Sequence, residues 1–437
     1  MWGSVHRRLK AFLCKAEGSV TVMGLYVFVA GTMIGAVALD YTYLEATRTQ
    51  LQVAADQAAH AALYNRRTMS EEDAKAAAIN LIQPLLPKGQ FGNVLTTDSI
   101  EFGRFDRGTA VFTSETGSRR AVRVKTSMLD RKGNAAPSHL FKMVGIDHFD
   151  VGASSVFMTY RPGCMKEGFL ADGVVDLQSN NSFSNGFCIH SNSHVSINQN
   201  NYFEPGTIVS MPNIEDLDMP RSGFEKNAGL QEALRDQRMN LNILNRLDGI
   251  QAGLTSGRGD WVPGYVTSPT TLFLRETTVT QSMLTAGRIY RVDCTGTTLN
   301  IDGATAPIEK VVILTTCPVK FANDSKIFDT VIFTSSTDDK FITAPQGLQI
   351  GKNDGCAAGG GAQLLTLGGV SVASKLSMFG GQILAKKDVD FAANADGLEG
   401  ASIITRGKIN GTSNSRMGFC LSGMEQNFET DYYRMAQ

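Results

Sequence analysis

Seven cysteines, two histidines four apart and two aspartates two apart are the residues of this chain whose types and spacing could do chemistry. Cysteines cross-link or bind metal. Six of them, Cys164, Cys188, Cys294, Cys317, Cys356 and Cys420, follow Tyr160, whereas Cys14 stands apart near the N-terminus. An even set confined to one region reads as a disulfide framework if that region faces an oxidising compartment. Buried free thiols are the alternative. His190 and His194 would share one face of a helix, but they sit in an Asn/Ser-rich, strand-like stretch. There the spacing makes no metal face. Asp388 and Asp390 would share a strand face. Paired carboxylates can hydrolyse glycosidic bonds, but a solvated charged edge accounts for them as well.

Other motifs fall short of their chemistry. No H-E-x-x-H occurs. Residues 347–353, GLQIGKN, have the wrong spacing for a phosphate loop and end in Asn. Gly369-Val370-Ser371-Val372-Ala373 misses the last glycine of a nucleophile elbow, and no helical pattern follows it. Arg258-Gly259-Asp260 lies in a Gly-rich stretch and reads as a turn. No catalytic residue, metal ligand or cofactor site is assigned, and a non-enzyme is expected.

The elements that must position these residues begin with an anchor. Residues 18–39 carry no charge, and as a helix they reach about 33 Å, enough to cross a hydrocarbon core of about 30 Å. Arg7, Arg8, Lys10 and Lys15 precede the run, and Arg48 is the one cation in residues 40–54. That bias predicts a cytoplasmic basic tail over 1–17, a transmembrane helix over 18–39 and the bulk of the chain across a bacterial inner membrane, in the periplasm. The long apolar core and the poor cleavage region at Asp40–Tyr43 argue against a removed signal peptide. With a net charge of −1, no basic field favours nucleic acid.

A helical stem is expected over 40–83. Leu44, Leu51, Ala54, Ala58 and Ala61 fall on one seam of it, which packs either on the protein's own domain or against a partner's membrane-proximal helix. A second helix is predicted over 71–82, before Pro84. Residues 84–162 read as a small α+β domain, with strands near 100–102, 121–124 and 151–160 and a short helix over 138–144.

After Pro162 short apolar clusters alternate with Asn, Ser and Gly. Val312, Val331, Ile350, Val370, Val389 and Ile409 recur at steps of about twenty, near one coil of a β-solenoid. The fold class is therefore α+β: an anchor and stem, the small domain, and a mainly-β domain over 163–437. A right-handed β-helix is favoured for that domain over a β-sandwich. A helical insertion is expected over 224–250, with Leu230, Leu234, Leu241, Leu244 and Leu247 on one face. With Cys14 on the cytoplasmic flank, sequential pairing fits such a coil: Cys164–Cys188, Cys294–Cys317 and Cys356–Cys420.

Residues 17–63 resemble the N-terminal segment of the TadE/G-like family, especially its TadG-type members. The resemblance rests on Glu17, Gly18, Ser19, Asp40, Arg48, Leu51, Gln52, Ala54, Ala55, Asp56, Ala58 and Ala59. It implies an envelope-anchored accessory or structural component of an Flp (Tad) pilus assembly system, serving adherence and biofilm formation. The implied partners are other pilus or pilin-like membrane proteins, met through the transmembrane and stem helix. The Asp-x-Ser-x-Ser metal motif of the von Willebrand A-type subgroup is missing, so metal-dependent adhesion is not carried over. A membrane-tethered β-helix enzyme or adhesin acting on envelope polysaccharide is the alternative.

Overall fold

A computed structural model describes residues 19–411 and 413–436. The basic tail over 1–17, with Cys14, and Gly18 at the start of the anchor lie outside the described residues. The rest divides into unit 1, which ends at Tyr160 and resumes with residues 431–437, and unit 2, Arg161–Thr430.

Unit 1 opens with α1, Ser19–Asn65, unbroken from the apolar run into the stem. Its first half is exposed, and the helix is long and apolar enough to cross a membrane. Its second half is buried from Leu51 through Leu63 along an alanine-lined face. The helix α2, Glu71–Ile82, forms where its pattern predicts. Ser70 starts it by accepting a hydrogen bond from the Asp73 N–H at 3.1 Å. The other layer is an antiparallel sheet ordered β2-β1-β3-β4-C-terminal strand, built from β1 (Ile100–Asp106), β2 (Val111–Ser114), β3 (Ala121–Met128), β4 (Val151–Tyr160) and Tyr432–Met435. The stem packs on β3 and β4, and the buried Thr126 hydroxyl donates to the Leu51 carbonyl at 2.9 Å. The short helix expected over 138–144 is one 3₁₀ turn, Phe141–Val144. The last strand was expected within the mainly-β region. Instead Tyr432 pairs with Tyr160, so unit 2 is inserted between two neighbouring strands of one sheet.

Unit 2 is mostly strand. Its strands form parallel ladders in three columns, most strands pairing with one about twenty residues before and one after. Column one stacks Leu272, Tyr290, Ile313, Ile332, Leu364, Ile383, Ile403, Phe169, Ile189 and Val209 in register. That order differs from chain order. The chain enters midway at Gly168, runs to one end at Leu234–Asp236, and resumes at the other end with Thr271–Phe273. From there it returns until Ser402–Thr405 lies beside Gly168–Ala171.

Three of the five expected register steps pair: Val312 with Val331, Val370 with Val389, and Val389 with Ile409. The other two do not. Val331 pairs with Gln363, because the intervening repeat is expanded by residues 335–341 and 351–361. Ile350 stacks in another column, between Ile327 and Met378.

The helical insertion over 224–250 is also corrected. Leu230–Ala233 is one short turn, Leu234–Asp236 is a strand on Ile208–Met211, and the helix proper is α3, Leu247–Ser256. Leu234 therefore leaves the leucine face, while Leu241, Leu244 and Leu247 are buried. The connection over residues 237–270 runs along column one. The Met239 N–H donates to Asn192 Oδ1 at 3.0 Å, Arg406 donates to Asn245 Oδ1 at 2.6 Å, and Lys386 meets Asp248 at 3.6 Å. Along the middle of column one both faces are dry: Leu170, Leu365, Leu384 and Ile404 alternate with the interior stack and are buried too. Strands buried on both sides read as continuous apolar runs.

Candidate functional site

Three arrangements concentrate polar chemistry. The first surrounds Asp40, the first charged residue after the apolar run. α1 carries its side chain into the turn over residues 138–141, where it is 1% exposed. The carboxylate accepts from the backbone N–H groups of His139 (2.8 Å), Leu140 (3.0 Å) and Phe141 (2.7 Å), and from the Ser138 hydroxyl (3.2 Å). Successive N–H groups make an anion cradle, here filled by the protein's own carboxylate. Tyr43 packs edge-on against the His139 ring at 4.7 Å. This site fastens a loop to the helix.

The second arrangement lies under the 237–270 connection. His190 and Ser210 are wholly buried. His190 Nδ1 is 2.8 Å from Ser210 Oγ, and Nε2 is 3.0 Å from Asn192 Oδ1. Asn192 Nδ2 donates to Asp172 (2.7 Å) and to the Met239 carbonyl (2.7 Å), which fixes its amide orientation. Oδ1 is therefore an acceptor, Nε2 carries the proton, and Ser210 donates to Nδ1. The composition imitates a nucleophile and base, but no substrate can reach a serine buried to 0% exposure. Burial also holds the His190 pKa below its ordinary value, against the Asn192 hydrogen bond and the Asp172 charge. His194 is partly exposed and bonds Ser193 at 3.2 Å, so the two histidines do not converge. Asp172 is also paired with Arg406.

The third is a groove of about 450 Å³ on column three, lined by Ser184, Asn185, Glu204, Glu399, Arg416 and Phe419 among others. Glu204 accepts from the Asn185 N–H at 2.9 Å. Among the described residues neither Glu399 nor Arg416 has an ion-pair partner. Four separate repeats supply these side chains, so no local motif marks them. Close by, the buried Glu167 accepts from the Cys420 and Leu421 N–H groups at 2.6 and 2.7 Å. Desolvation raises its pKa despite those bonds.

The cysteines pair Cys164–Cys188, Cys294–Cys317 and Cys356–Cys420, with Cα separations of 5.0, 5.1 and 5.6 Å. Cys356 and Cys420 lie beside Glu399, but oxidised sulfurs are no metal ligands there. Asp388 and Asp390 are tied separately. Asp388 accepts from the Lys408 N–H at 2.7 Å, and Asp390 accepts from Asn410. They converge on no groove among the described residues. Arg258, Gly259 and Asp260 form an exposed turn after α3, and Ser371 lies on a flat strand between Thr343 and Asp390. On the seam, Leu51, Ala54 and Ala58 are buried within unit 1, while Leu44 and Ala61 are half-buried.

Residues 18–77 match the TadE/G-like family of Flp pilus assembly, the family the N-terminal segment resembles. No curated protein and no solved structure matches the chain. Residues 168–421 match the family described as domain of unknown function DUF7867. That match covers more than half of the sequence, so the chain belongs to the DUF7867 family and carries a TadE/G-like segment at its N-terminus.

Proposed function

We propose that the protein is a membrane-anchored, non-enzymatic component of an Flp (Tad) pilus assembly system, with its tail in the cytoplasm and the chain beyond the apolar run in the periplasm. The carrying observation is the TadE/G-like match over residues 18–77, which takes in the long helix from its apolar run through the buried stem and the start of α2. The cation bias before residue 18 supports the orientation. The parallel ladders support a β-solenoid reading of unit 2, a rigid spacer or docking body for pilus partners. Deleting the gene should abolish Flp-type pili and adherence, and the full chain should restore both. Wild-type piliation in the deletion strain sinks the proposal. A reporter active only in the periplasm, fused after Gln437, should be active.

The groove favours a second reading, an adhesin or enzyme acting on envelope polysaccharide. Glu399 and Arg416, without ion-pair partners among the described residues, stand there beside a half-buried aromatic ring. The purified protein should turn over no envelope polysaccharide. Turnover that is lost in Glu399→Gln but retained in Asp388→Asn would establish the enzyme instead.

A further inference from the structure

The turn bonded to Asp40 occupies a constrained depth. The charge-free run ends at Leu39, and one further helical residue rises about 1.5 Å. If residues 18–39 cross the bilayer, Asp40 sits where hydrocarbon gives way to headgroups. The Phe141 N–H is 2.7 Å from the Asp40 carboxylate, so this turn is held at the same level. Met143 follows Phe141 by two residues, within about 7 Å of chain. The headgroup layer on each side of the hydrocarbon is of similar thickness, about 5–7 Å.

At that depth the turn shows apolar surface. Met143 on the 3₁₀ turn is 86% exposed, and Ile146, two residues past the turn, is 42% exposed. Tyr41 on α1 is also exposed, at 62%. Tyrosine at such a level belongs to the aromatic belts of membrane interfaces. The nearby charges are of both signs: Lys142 is exposed, and so is Asp147. An apolar wedge with balanced charge suits the acyl–headgroup boundary and does not need anionic lipid.

We propose that the turn over residues 138–146 seats in the headgroup layer of the leaflet facing unit 1, with Met143 and Ile146 as its apolar wedge. Asp40 is then the clasp that holds a second membrane contact beside the span. Two contacts restrict how unit 1 tilts on the bilayer, which a lone helix leaves free. The proposal rests on the reading that residues 18–39 cross the membrane.

Tryptophan fluorescence tests it on the full chain in phosphatidylcholine vesicles, with and without bromine on the upper acyl chain. Trp2→Phe and Trp261→Phe remove the native signal, and single probes are then placed by Met143→Trp, Val27→Trp and Tyr64→Trp. Val27 lies inside the apolar run. Tyr64 lies 24 residues beyond Asp40, about 36 Å along the helix. The expected result is blue-shifted, bromolipid-quenched emission from the Met143 and Val27 probes, and unquenched emission from the Tyr64 probe. If Val27 is quenched and Met143 is not, the span stands and the wedge falls. A blue-shifted but unquenched Met143 probe means a protein covers the turn, which also overturns the proposal. If Val27 itself is not quenched, the membrane reading fails and the wedge with it.

Discussion

Ser402 pairs with Gly168 in a parallel ladder, although the two residues stand near opposite ends of unit 2 in sequence. One strand pair in column one, Gly168–Ala171 with Ser402–Thr405, thus joins the two halves of the stack. Gly168 has φ of +152°, and a Cβ there would lie 2.3 Å from the Cys188 carbonyl, so the close approach requires glycine. Just beyond the ladder the Arg406–Asp172 pair bridges the same junction, with Asn245 bonded to the guanidinium. Arg406→Ala removes both bonds and leaves a half-buried carboxylate short of a partner. The expected cost is about 1–3 kcal/mol, read as a lower urea midpoint. Arg246→Ala, on a partly exposed side chain, should move the midpoint far less.

The alanine seam gives a second test. Ala58 is 0% exposed inside unit 1, in the core shared by the stem, α2 and the sheet. Ala58→Leu overpacks the contact and should cost about 1–3 kcal/mol. Faster proteolysis of unit 1 is the readout. Ala61→Leu, at the half-buried edge, should be tolerated. Equal resistance in both variants would mean that the seam is not tightly packed.

The long first helix was legible because its uncharged run continues without a breaker into a stem with a helical apolar pattern. The seam was ambiguous because helix–helix and helix–sheet contacts both favour small residues. The stacking period was legible only where repeats keep their length. From Val370 to Ile409 the steps are regular, whereas the expanded repeat between Val331 and Gln363 carried the expected register into the wrong column. The order of stacking was not legible at all, because it is set by one long-range pairing, Gly168 with Ser402. Asp40 stood out in the family pattern, but its partners lie about a hundred residues away and, apart from the Ser138 hydroxyl, contribute backbone, which leaves little side-chain signal. The groove of Glu204, Glu399 and Arg416 was hidden for the same reason, being assembled from repeats far apart in sequence.

The disulfides test the stability of unit 2. Cys294 and Cys317 close a loop of 23 residues between adjacent repeats. Constraining the unfolded chain over such a loop contributes about 3 kcal/mol. Cys294→Ser with Cys317→Ser should lower the urea midpoint accordingly. Non-reducing peptide mapping should recover the three sequential bridges; six free thiols would contradict them.

Acid should weaken unit 2 through His190. Burial lowers its folded pKa below the 6.5 of an exposed imidazole, so the fold favours the neutral ring. The stabilisation is complete above about pH 6.5 and is lost as pH falls toward the depressed folded value. His190→Gln has no ring to protonate and keeps a donor and an acceptor for Asn192 and Ser210. Its denaturation midpoint should fall less than wild type's between neutral and mildly acidic pH. Parallel pH profiles for the two proteins would refute this account.

The Asp40 clasp predicts different effects for two substitutions. Asp40→Asn keeps the shape and one acceptor oxygen, but an amide is a poorer acceptor for three converging N–H groups. Asp40→Ala removes every acceptor and leaves those N–H groups to water or to burial without partners. Charge-assisted bonds of this kind contribute about 1.5–3 kcal/mol each when intact, but the three share one carboxylate and will not add. The turn should therefore open locally while the sheet and α2 stay folded. Hydrogen exchange on the full chain is the appropriate measurement. The amides of His139, Leu140 and Phe141 should exchange slowly in wild type, faster in Asp40→Asn and fastest in Asp40→Ala. The β3 amides should keep their protection in all three proteins. Unchanged protection at Phe141 in Asp40→Ala would show that the carboxylate does not hold the turn.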